Sequence, residues 1–263
     1  MLWGFSFPVI KAGVEVMDPN LYVCYRFIAG ALLLGLAMRP RIDAQCLRYG
    51  VICGLLLSVG TLTQTKALSL TSASNAGFIT GLAMVVVPLG QAALARSWPS
   101  RNVWGSMALA LSGLAVLTWH TPFVLNVGDA WAAACAVGFG VHLLALGRYS
   151  PKADTVALTV VQLGVTGLLG GLVALAAGTP FVRPPTPTCW QSLAFTALVC
   201  TALCFYLMTF AQRFIKPQAV ALVFLLEPVF AALASAWLLH EPLSWRSLAG
   251  GGLIIGAMAL AEK

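Results

Sequence analysis

Charged residues are scarce in this chain, because they make up only 9% of its 263 residues. A soluble globular domain carries roughly 25% charged residues. Hydrophobic residues account for 60% of the sequence, and no stretch is polar and long enough to form a soluble domain. No long alternation of apolar and polar residues suggests a membrane β-barrel. The composition therefore predicts an integral, all-α membrane protein with very little chain outside the bilayer.

Motifs that carry nucleotide chemistry or hydrolysis are also missing from the sequence. It contains no Walker sequence, so ATP does not drive this protein directly. It contains neither HExxH nor a Ser/His/Asp order, so an intramembrane hydrolase is poorly supported. We therefore expect a protein that is not an enzyme and that uses no cofactor.

Metal and nucleic-acid sites have little support in the composition. The seven cysteines form no CxxC pair, and most lie inside apolar segments, so we interpret them as small core residues rather than metal ligands. The net charge of +7 could suggest nucleic acid, but the basic residues are spread singly between apolar runs. Such spacing is a signal of membrane topology. We expect the bilayer and a small-molecule substrate as partners, without nucleic acid.

Apolar runs separated by turn and cap residues predict ten transmembrane helices. They are Leu2–Val16, Pro19–Met38, Cys46–Leu68, Ser74–Arg96, Arg101–Trp119, Asp129–Arg148, Thr155–Ala177, Trp190–Phe214, Gln218–Leu239 and Ser244–Ala261. The first is short for a span, which needs about twenty residues. We therefore expect about ten further residues to precede Met1.

The two halves of the chain look like copies of one unit. Ala67–Arg96 aligns with the stretch that begins at Ala211, so that Ala83 pairs with Glu227. Residues 1–120 hold helices one to five, and residues 126–263 hold helices six to ten. Because each half has an odd number of helices, the second enters the membrane upside down. The prediction is two inverted five-helix repeats, an architecture that recurs in secondary transporters.

The basic residues lie mainly in alternate loops. Nine of them fall in the loops after helices two, four, six and eight: Arg39, Arg41, Arg48, Arg96, Arg101, Arg148, Lys152, Arg213 and Lys216. Cytoplasmic loops carry an excess of Lys and Arg. The pattern places both termini of a multi-pass plasma-membrane protein, such as one of a bacterial inner membrane, in the cytoplasm.

Several motifs resemble one transporter family. They are Trp3-Gly4-x-Ser6-Phe7, Ala67-Leu-x-Leu-Thr71-Ser72, Phe78-Ile79-Thr80-Gly81, Gly128-Asp129-x-x-Ala132 and Ala221-Leu-x-Phe-x-Leu-Glu227-Pro228. The sequence resembles the EamA branch of the drug/metabolite transporter superfamily over its whole length. The resemblance implies ten helices, two EamA repeats, a central cavity, and export or exchange of small metabolites. Met84 departs from the family, since many members have proline there.

Polar and aromatic residues inside the predicted helices are the candidates for substrate binding. They are Trp3, Ser6, Phe7, Lys11, Gln64, Asn75, Phe78, Thr80, Phe139, His142, Tyr206 and Glu227. A transport site needs a few such polar groups on facing helices, with aromatic walls around them.

Each polar candidate also has a structural interpretation. Lys11 and Arg26 either extend to the headgroups, or pair with Glu15 and Asp18, or line the cavity. Gln64 and Asn75 either line the cavity or hold helices together by hydrogen bonds. His142 is either a packing residue with a satisfied hydrogen bond or a group that meets substrate or a proton.

Glu227 is the one acid that falls deep in a predicted helix, directly before Pro228. In a structural role its carboxyl accepts hydrogen bonds near a proline kink. In a functional role it faces the cavity and exchanges a proton or meets a cationic substrate group.

The sequence thus favours a secondary transporter that exports or exchanges small organic metabolites, such as amino acids, by alternating access. We expect it to work as a monomer or a weak homodimer. The alternative is a structural or sensor membrane subunit without transport activity, which predicts an interior poor in polar groups.

Overall fold

The computed structural model describes residues 3, 6–96, 98–118, 126–224, 226, 229–230 and 245–261, and every regular element in these ranges is a helix. Twelve α-helices are numbered here in chain order. They are α1 (Ser6–Val14), α2 (Pro19–Met38), α3 (Ala44–Leu70), α4 (Ala73–Gly81), α5 (Ala83–Ala95), α6 (Arg101–Thr118), α7 (Val127–Tyr149), α8 (Thr155–Ala176), α9 (Pro187–Phe195), α10 (Cys204–Ala211), α11 (Pro217–Phe224) and α12 (Trp245–Ala261). A 3₁₀ turn, Ser150–Lys152, follows α7, and a π-helix, Thr196–Leu203, joins α9 to α10.

The helices that begin at strong cap residues agree best with the sequence prediction. Helix α2 runs from Pro19 to Met38 as predicted, because the Asp18 carboxylate accepts hydrogen bonds from two first-turn amides and Pro19 fits the first helical position. Helix α8 likewise begins at Thr155, directly after the Asp154 cap.

Six helices in the described part of the chain are long and apolar enough to cross a membrane. They are Pro19–Met38, Ala44–Leu70, Asn75–Ala95, Val127–Lys152, Thr155–Ala176 and Pro187–Ala211. The continuous described part of the ninth predicted helix runs from Pro217 to Phe224, and the predicted kink at Pro228 lies outside the described residues. The protein is an all-α membrane protein.

Two of the predicted helices depart from regular α-helical geometry in the structure. The fourth divides at Leu82, whose amide donates to the carbonyl of Ile79, three residues back, so the regular α pattern is lost for one turn. Gly81 precedes the break and Pro88 follows it one turn into α5. The eighth is continuous from Pro187 to Ala211 but widens into the π-helix at its centre.

The halves of the chain pack closely against each other. Helix α3 packs against α7 and α8, α2 against α8, and α6 against α12. At the crossing of α3 and α7, a Cβ added at Gly138 would lie 2.6 Å from the backbone nitrogen of Gly60, so this contact requires glycine. Leucines on outward helix faces, such as Leu36 and Leu168, are exposed, which suits contact with lipid.

Four loops meet at one end of the helix bundle. The Gln45 side chain donates to the carbonyl of Lys152, and the Arg213 guanidinium donates to the Thr155 hydroxyl. The loop after α5 and Lys216 line the same surface cavity. We call this the cation-rich end, because these loops and adjoining helix ends carry the nine basic residues named above. Their acids, Asp43 and Asp154, cap α3 and α8.

Candidate functional site

A chain of hydrogen bonds joins three helices in the interior. The Nε2 atom of His142 on α7 lies 2.9 Å from Oε1 of Gln162 on α8. The Nε2 amide of Gln162 donates to the hydroxyl of Thr209 on α10 at 3.1 Å, and that hydroxyl donates to the carbonyl of Phe205. Because Oε1 can only accept, His142 donates from Nε2 in this arrangement. All three polar side chains are buried.

Arg26 lies in the same interior rather than near the headgroups. Only 4% of its surface is exposed. Its Nε donates to the Thr201 hydroxyl at 2.7 Å, and its guanidinium carbon lies 5.1 Å from the centroid of the Phe27 ring. A cation over an aromatic face is attracted by the ring quadrupole. Extension of Arg26 to the membrane surface, one of the sequence-based alternatives, is therefore wrong.

Aromatic rings connect the arginine to the histidine. The Phe205 ring lies 5.9 Å from the ring of Phe27 and 6.4 Å from the ring of His142, measured between centroids. Trp3 packs edge-on against Phe205 at 5.2 Å and against Phe224 at 5.0 Å. These residues, with Arg26, Thr201 and Gln162, form what we call the Arg26–His142 centre. It combines side chains from both halves of the chain.

The π-helix is the backbone element that both Trp3 and Arg26 contact. The Trp3 indole donates to the carbonyl of Cys200 at 2.7 Å, and Arg26 bonds Thr201 one residue on. A π-helix loosens the regular i→i−4 ladder and is frequent at functional sites. A Cβ at Gly30 would lie 2.8 Å from the Thr201 methyl, so α2 can approach this segment only with glycine there.

Polar contacts continue from the centre along α2. Tyr22 stands one turn before Arg26, and its hydroxyl lies 2.6 Å from the Ser192 hydroxyl and 3.0 Å from that of Thr196. Sequence reasoning missed Tyr22, Thr196 and Thr201. The i, i+4 spacing of Tyr22 and Arg26 was a usable signal, since it places both on one helix face.

Lys11 makes hydrogen bonds at the end of the bundle opposite the cation-rich end. Its Nζ donates to the carbonyls of Leu68 and Thr71 at the end of α3, at 3.4 and 3.1 Å. An ammonium there complements the negative end of the helix dipole. Asp18, one of the two acids considered as partners, instead caps α2. The structure thus gives Lys11 a helix-capping contact.

The family motif around Asp129 forms a second polar cluster beside Lys11, in which Asp129 and Thr71 are buried. The Thr71 hydroxyl donates to Oδ1 of Asp129 at 2.9 Å, and the amide of Asn126 donates to Oδ2 at 2.9 Å. The side chain of Asn126 donates to Thr71 at 3.0 Å. This capping box fixes the start of α7 against the end of α3.

Gln64, Asn75 and Thr80 lie apart from the Arg26–His142 contacts. The side chains of Gln64 and Asn75 are half-buried and make no hydrogen bond within the part of the chain that the structure describes. The Thr80 hydroxyl lies 3.6 Å from the Cys135 thiol. These three residues belong to α3 and α4, which both pack against α7.

The aromatic candidates Phe78, Phe139 and Tyr206 lie in different environments. Phe78 and Phe139 pack against the hydrophobic core, and the Phe139 ring covers Gly60. Tyr206 stacks on Phe210, which is 46% exposed, so these contacts lead toward the outside of the bundle.

The remaining candidates have few described contacts. Ser6 is buried at the start of α1, and its amide donates to the carbonyl of Trp3. Phe7 belongs to α1, but its side chain lies outside the described part. Glu227 also lies outside the described residues. Within the described residues, no group of three or more His, Cys, Asp or Glu side chains is placed to hold a metal ion.

Comparison with known proteins identifies the family to which the chain is similar. Residues 1–119 and 126–262 match the EamA-like transporter family. An uncharacterized transporter of Archaeoglobus fulgidus is 28% identical over 264 residues, covering 100% of this chain and 82% of the relative. The uncharacterized inner membrane transporter YedA of Escherichia coli K12 is 24% identical over 288 residues, covering 99% of this chain and 87% of YedA.

A solved crystal structure shares the fold, with a TM-score of 0.76 and 21% sequence identity over 99% of this chain and 95% of that chain. The family match covers more than half of the chain and confirms the resemblance predicted from the sequence motifs. The chain is a multi-pass membrane transporter and belongs to the EamA-like transporter family.

Proposed function

We propose that this protein is a secondary transporter that exports or exchanges small organic metabolites, such as amino acids, across the cytoplasmic membrane by alternating access. Its two moving units are inverted repeats, residues 1–120 and 126–263. The substrate binds between them, at the Arg26–His142 centre.

Helix contacts support the pairing of the halves. In an inverted repeat, helices two, four and five correspond to helices seven, nine and ten. Helix α2 packs on α8, α5 on α11, and α6 on α12, so each of these helices contacts its counterpart. Contacts of this kind are expected around a pseudo-twofold axis. The two separate family matches, over residues 1–119 and 126–262, agree with the same division.

The observation that carries the proposed site is a buried guanidinium within one aromatic cluster with a buried imidazole. Placing an ionised side chain at membrane depth is costly, and such residues generally serve a substrate or ion pathway. A guanidinium has five N–H donors, and the bond from Nε to Thr201 uses one of them. We propose that other donors of Arg26 bind a carboxylate of the substrate, because guanidinium and carboxylate match as bidentate partners.

His142 and Trp3 complete the proposed binding surface. His142 is held by Gln162 through Nε2, which leaves Nδ1 as the acceptor of its ring. Trp3 is held by its bond to the Cys200 carbonyl and presents its ring to Phe205 and Phe224. An acceptor, a cation and an aromatic wall together suit a small zwitterion, in which a carboxylate and an ammonium group lie a few bonds apart.

A resistance screen tests this function and can identify the substrate at the same time. The protein is overproduced in a bacterial host that is then challenged with toxic amino-acid analogues and with excess amino acids. We expect tolerance to at least one compound that carries a carboxylate, and loss of that tolerance with Arg26→Gln at equal membrane abundance. No tolerance to any compound, or tolerance unaffected by Arg26→Gln, would contradict the proposal.

A further inference from the structure

A surface cavity opens at the cation-rich end, away from the Arg26–His142 centre. Its volume is about 580 Å³, and it lies between the end of α5, the start of α6 and the start of α11. Its lining comprises Pro88, Gln91, Ala92, Leu94, Ala95, Trp98, Pro99, Ser100, Val103, Lys216 and Gln218. We propose that this cavity binds one anionic phospholipid, with the phosphate at Lys216 and an acyl chain along Leu94 and Trp98.

The polar side of the cavity favours an anion. Lys216 supplies an ammonium, and the amides of Gln91 and Gln218 supply N–H donors. Helices α6 and α11 both begin at the cavity, so the positive ends of two helix dipoles point toward it.

Neighbouring charges add to this field. Arg96 and Arg101 directly adjoin the lining residues Ala95 and Ser100 in the chain. The sequence has no acid between Asp43 and Asp129, and none between Asp154 and Glu227. The three segments that form the cavity therefore contribute cations and no carboxylate, and an anionic group is the complementary partner.

The apolar side of the cavity distinguishes a lipid from a free phosphate. Leu94 is 69% exposed and Trp98 is 87% exposed, although both lie at the cavity wall. A soluble anion would leave these large apolar surfaces uncovered. An acyl chain covers them, and tryptophan is enriched where its ring sits at the headgroup level of a bilayer. The cavity thus presents a cationic part and an apolar part next to each other, as a phospholipid requires.

Lipid binding to purified protein tests the proposal, and no transport assay is needed. The full chain is purified in detergent, depleted of lipid, and titrated with phosphatidylglycerol or with phosphatidylcholine of the same acyl chains. Thermal unfolding and native mass spectrometry report binding. We expect phosphatidylglycerol to raise Tm by several degrees more than phosphatidylcholine and to remain as one retained lipid.

Two charge variants locate the site. Lys216→Gln should weaken phosphatidylglycerol binding about fivefold, the effect of losing one cation near an anionic lipid. Lys152→Gln is the matched control, because Lys152 is also exposed at the cation-rich end but does not line the cavity. It should leave binding unchanged.

Soluble anions show whether the cavity binds a phospholipid or a free phosphate. Inorganic phosphate and glycerol 3-phosphate should give little stabilisation, since they lack the acyl chain. Full stabilisation by either soluble anion would overturn the lipid assignment. Equal stabilisation by the two lipids, or equal losses in Lys216→Gln and Lys152→Gln, would overturn the site itself.

Discussion

The imidazole Nε2 of His142 lies 2.9 Å from the side-chain oxygen of Gln162, and both side chains are buried between α7 and α8. Gln162 also donates to Thr209, so its amide is satisfied on both sides. Gln212, one turn after Thr209, is also buried, yet neither its side-chain oxygen nor its side-chain nitrogen has a partner among the described residues. The two glutamines therefore allow a matched comparison, because both are buried but only Gln162 has side-chain hydrogen bonds among the described residues.

Leucine substitutions at these two positions should differ in their effect on stability. Gln162→Leu removes two hydrogen bonds: His142 loses the acceptor of its Nε2, and the Thr209 hydroxyl keeps only its bond to the Phe205 carbonyl. We therefore expect a loss of roughly 1–2 kcal/mol. Gln212→Leu removes side-chain atoms that have no such bonds within the described part of the chain, so the free energy of unfolding should stay the same or rise. Unfolding of the purified protein in bicelles measures both. An equal loss in the two variants would show that Gln212 has a bonding partner as important as those of Gln162.

Lys11→Met should reduce stability more than it reduces substrate affinity. Its ammonium bonds the last carbonyls of α3, and the loss of such a cap amounts to about 1 kcal/mol. Lys66→Met is the control, because Lys66 belongs to α3 itself but is exposed. Unfolding measures the first effect and KM for transport the second. A large rise in KM with unchanged stability would place Lys11 in the substrate site instead.

The cation-rich end should face the cytoplasm. Its loops carry nine basic residues, and cytoplasmic loops are enriched in Lys and Arg. Reporter fusions at Lys152 and Gly178 test this orientation, because these residues follow α7 and α8 and so lie at opposite ends. We expect the Lys152 fusion to report inside and the Gly178 fusion outside. The reverse pattern would refute both the orientation and the cytoplasmic location of the termini.

Glu227→Gln separates the two roles that the sequence leaves open for this acid, which lies outside the described residues. The substitution keeps size and hydrogen-bonding capacity but removes ionisation. If Glu227 exchanges a proton, the variant should fold and lose the pH dependence of transport between about pH 5 and pH 8. Glu15→Gln, at an exposed position, is the control. A stable Glu227→Gln protein with unchanged transport at every pH would leave only the structural role.

Local chemistry made much of the fold predictable from the sequence. The start of α2 has the Asp18 cap followed by Pro19 at the first helical position, and this local signal could be read directly from the sequence. The burial of Arg26 was harder to predict, because a long side chain early in a helix can reach either the interior or the headgroups. Its direction is decided by Thr201, which is 175 residues away in the sequence.

The π-helix left no signature that sequence reasoning could use. Thr196–Leu203 contains neither proline nor glycine, and its apolar composition suits an ordinary helix. Contacts from distant residues coincide with it, since Trp3 bonds the Cys200 carbonyl and Arg26 bonds Thr201. The pairing of His142 with Gln162 has the same character, because it depends on how α7 and α8 pack. Contacts between helices thus define the candidate site, and they lie beyond the reach of periodicity.

The central claim is that the protein moves a carboxylate-bearing metabolite that binds at Arg26, and flux into proteoliposomes tests it most directly. The compound identified by the resistance screen is used as a labelled substrate in a counterflow assay with the wild type, Arg26→Gln and Arg41→Gln, an exposed control. We expect counterflow well above empty liposomes for the wild type and Arg41→Gln. Arg26→Gln should show at least about a tenfold lower rate, consistent with losing a charge-assisted hydrogen bond. Wild-type flux that equals that of empty liposomes, or full flux in Arg26→Gln, would contradict the account.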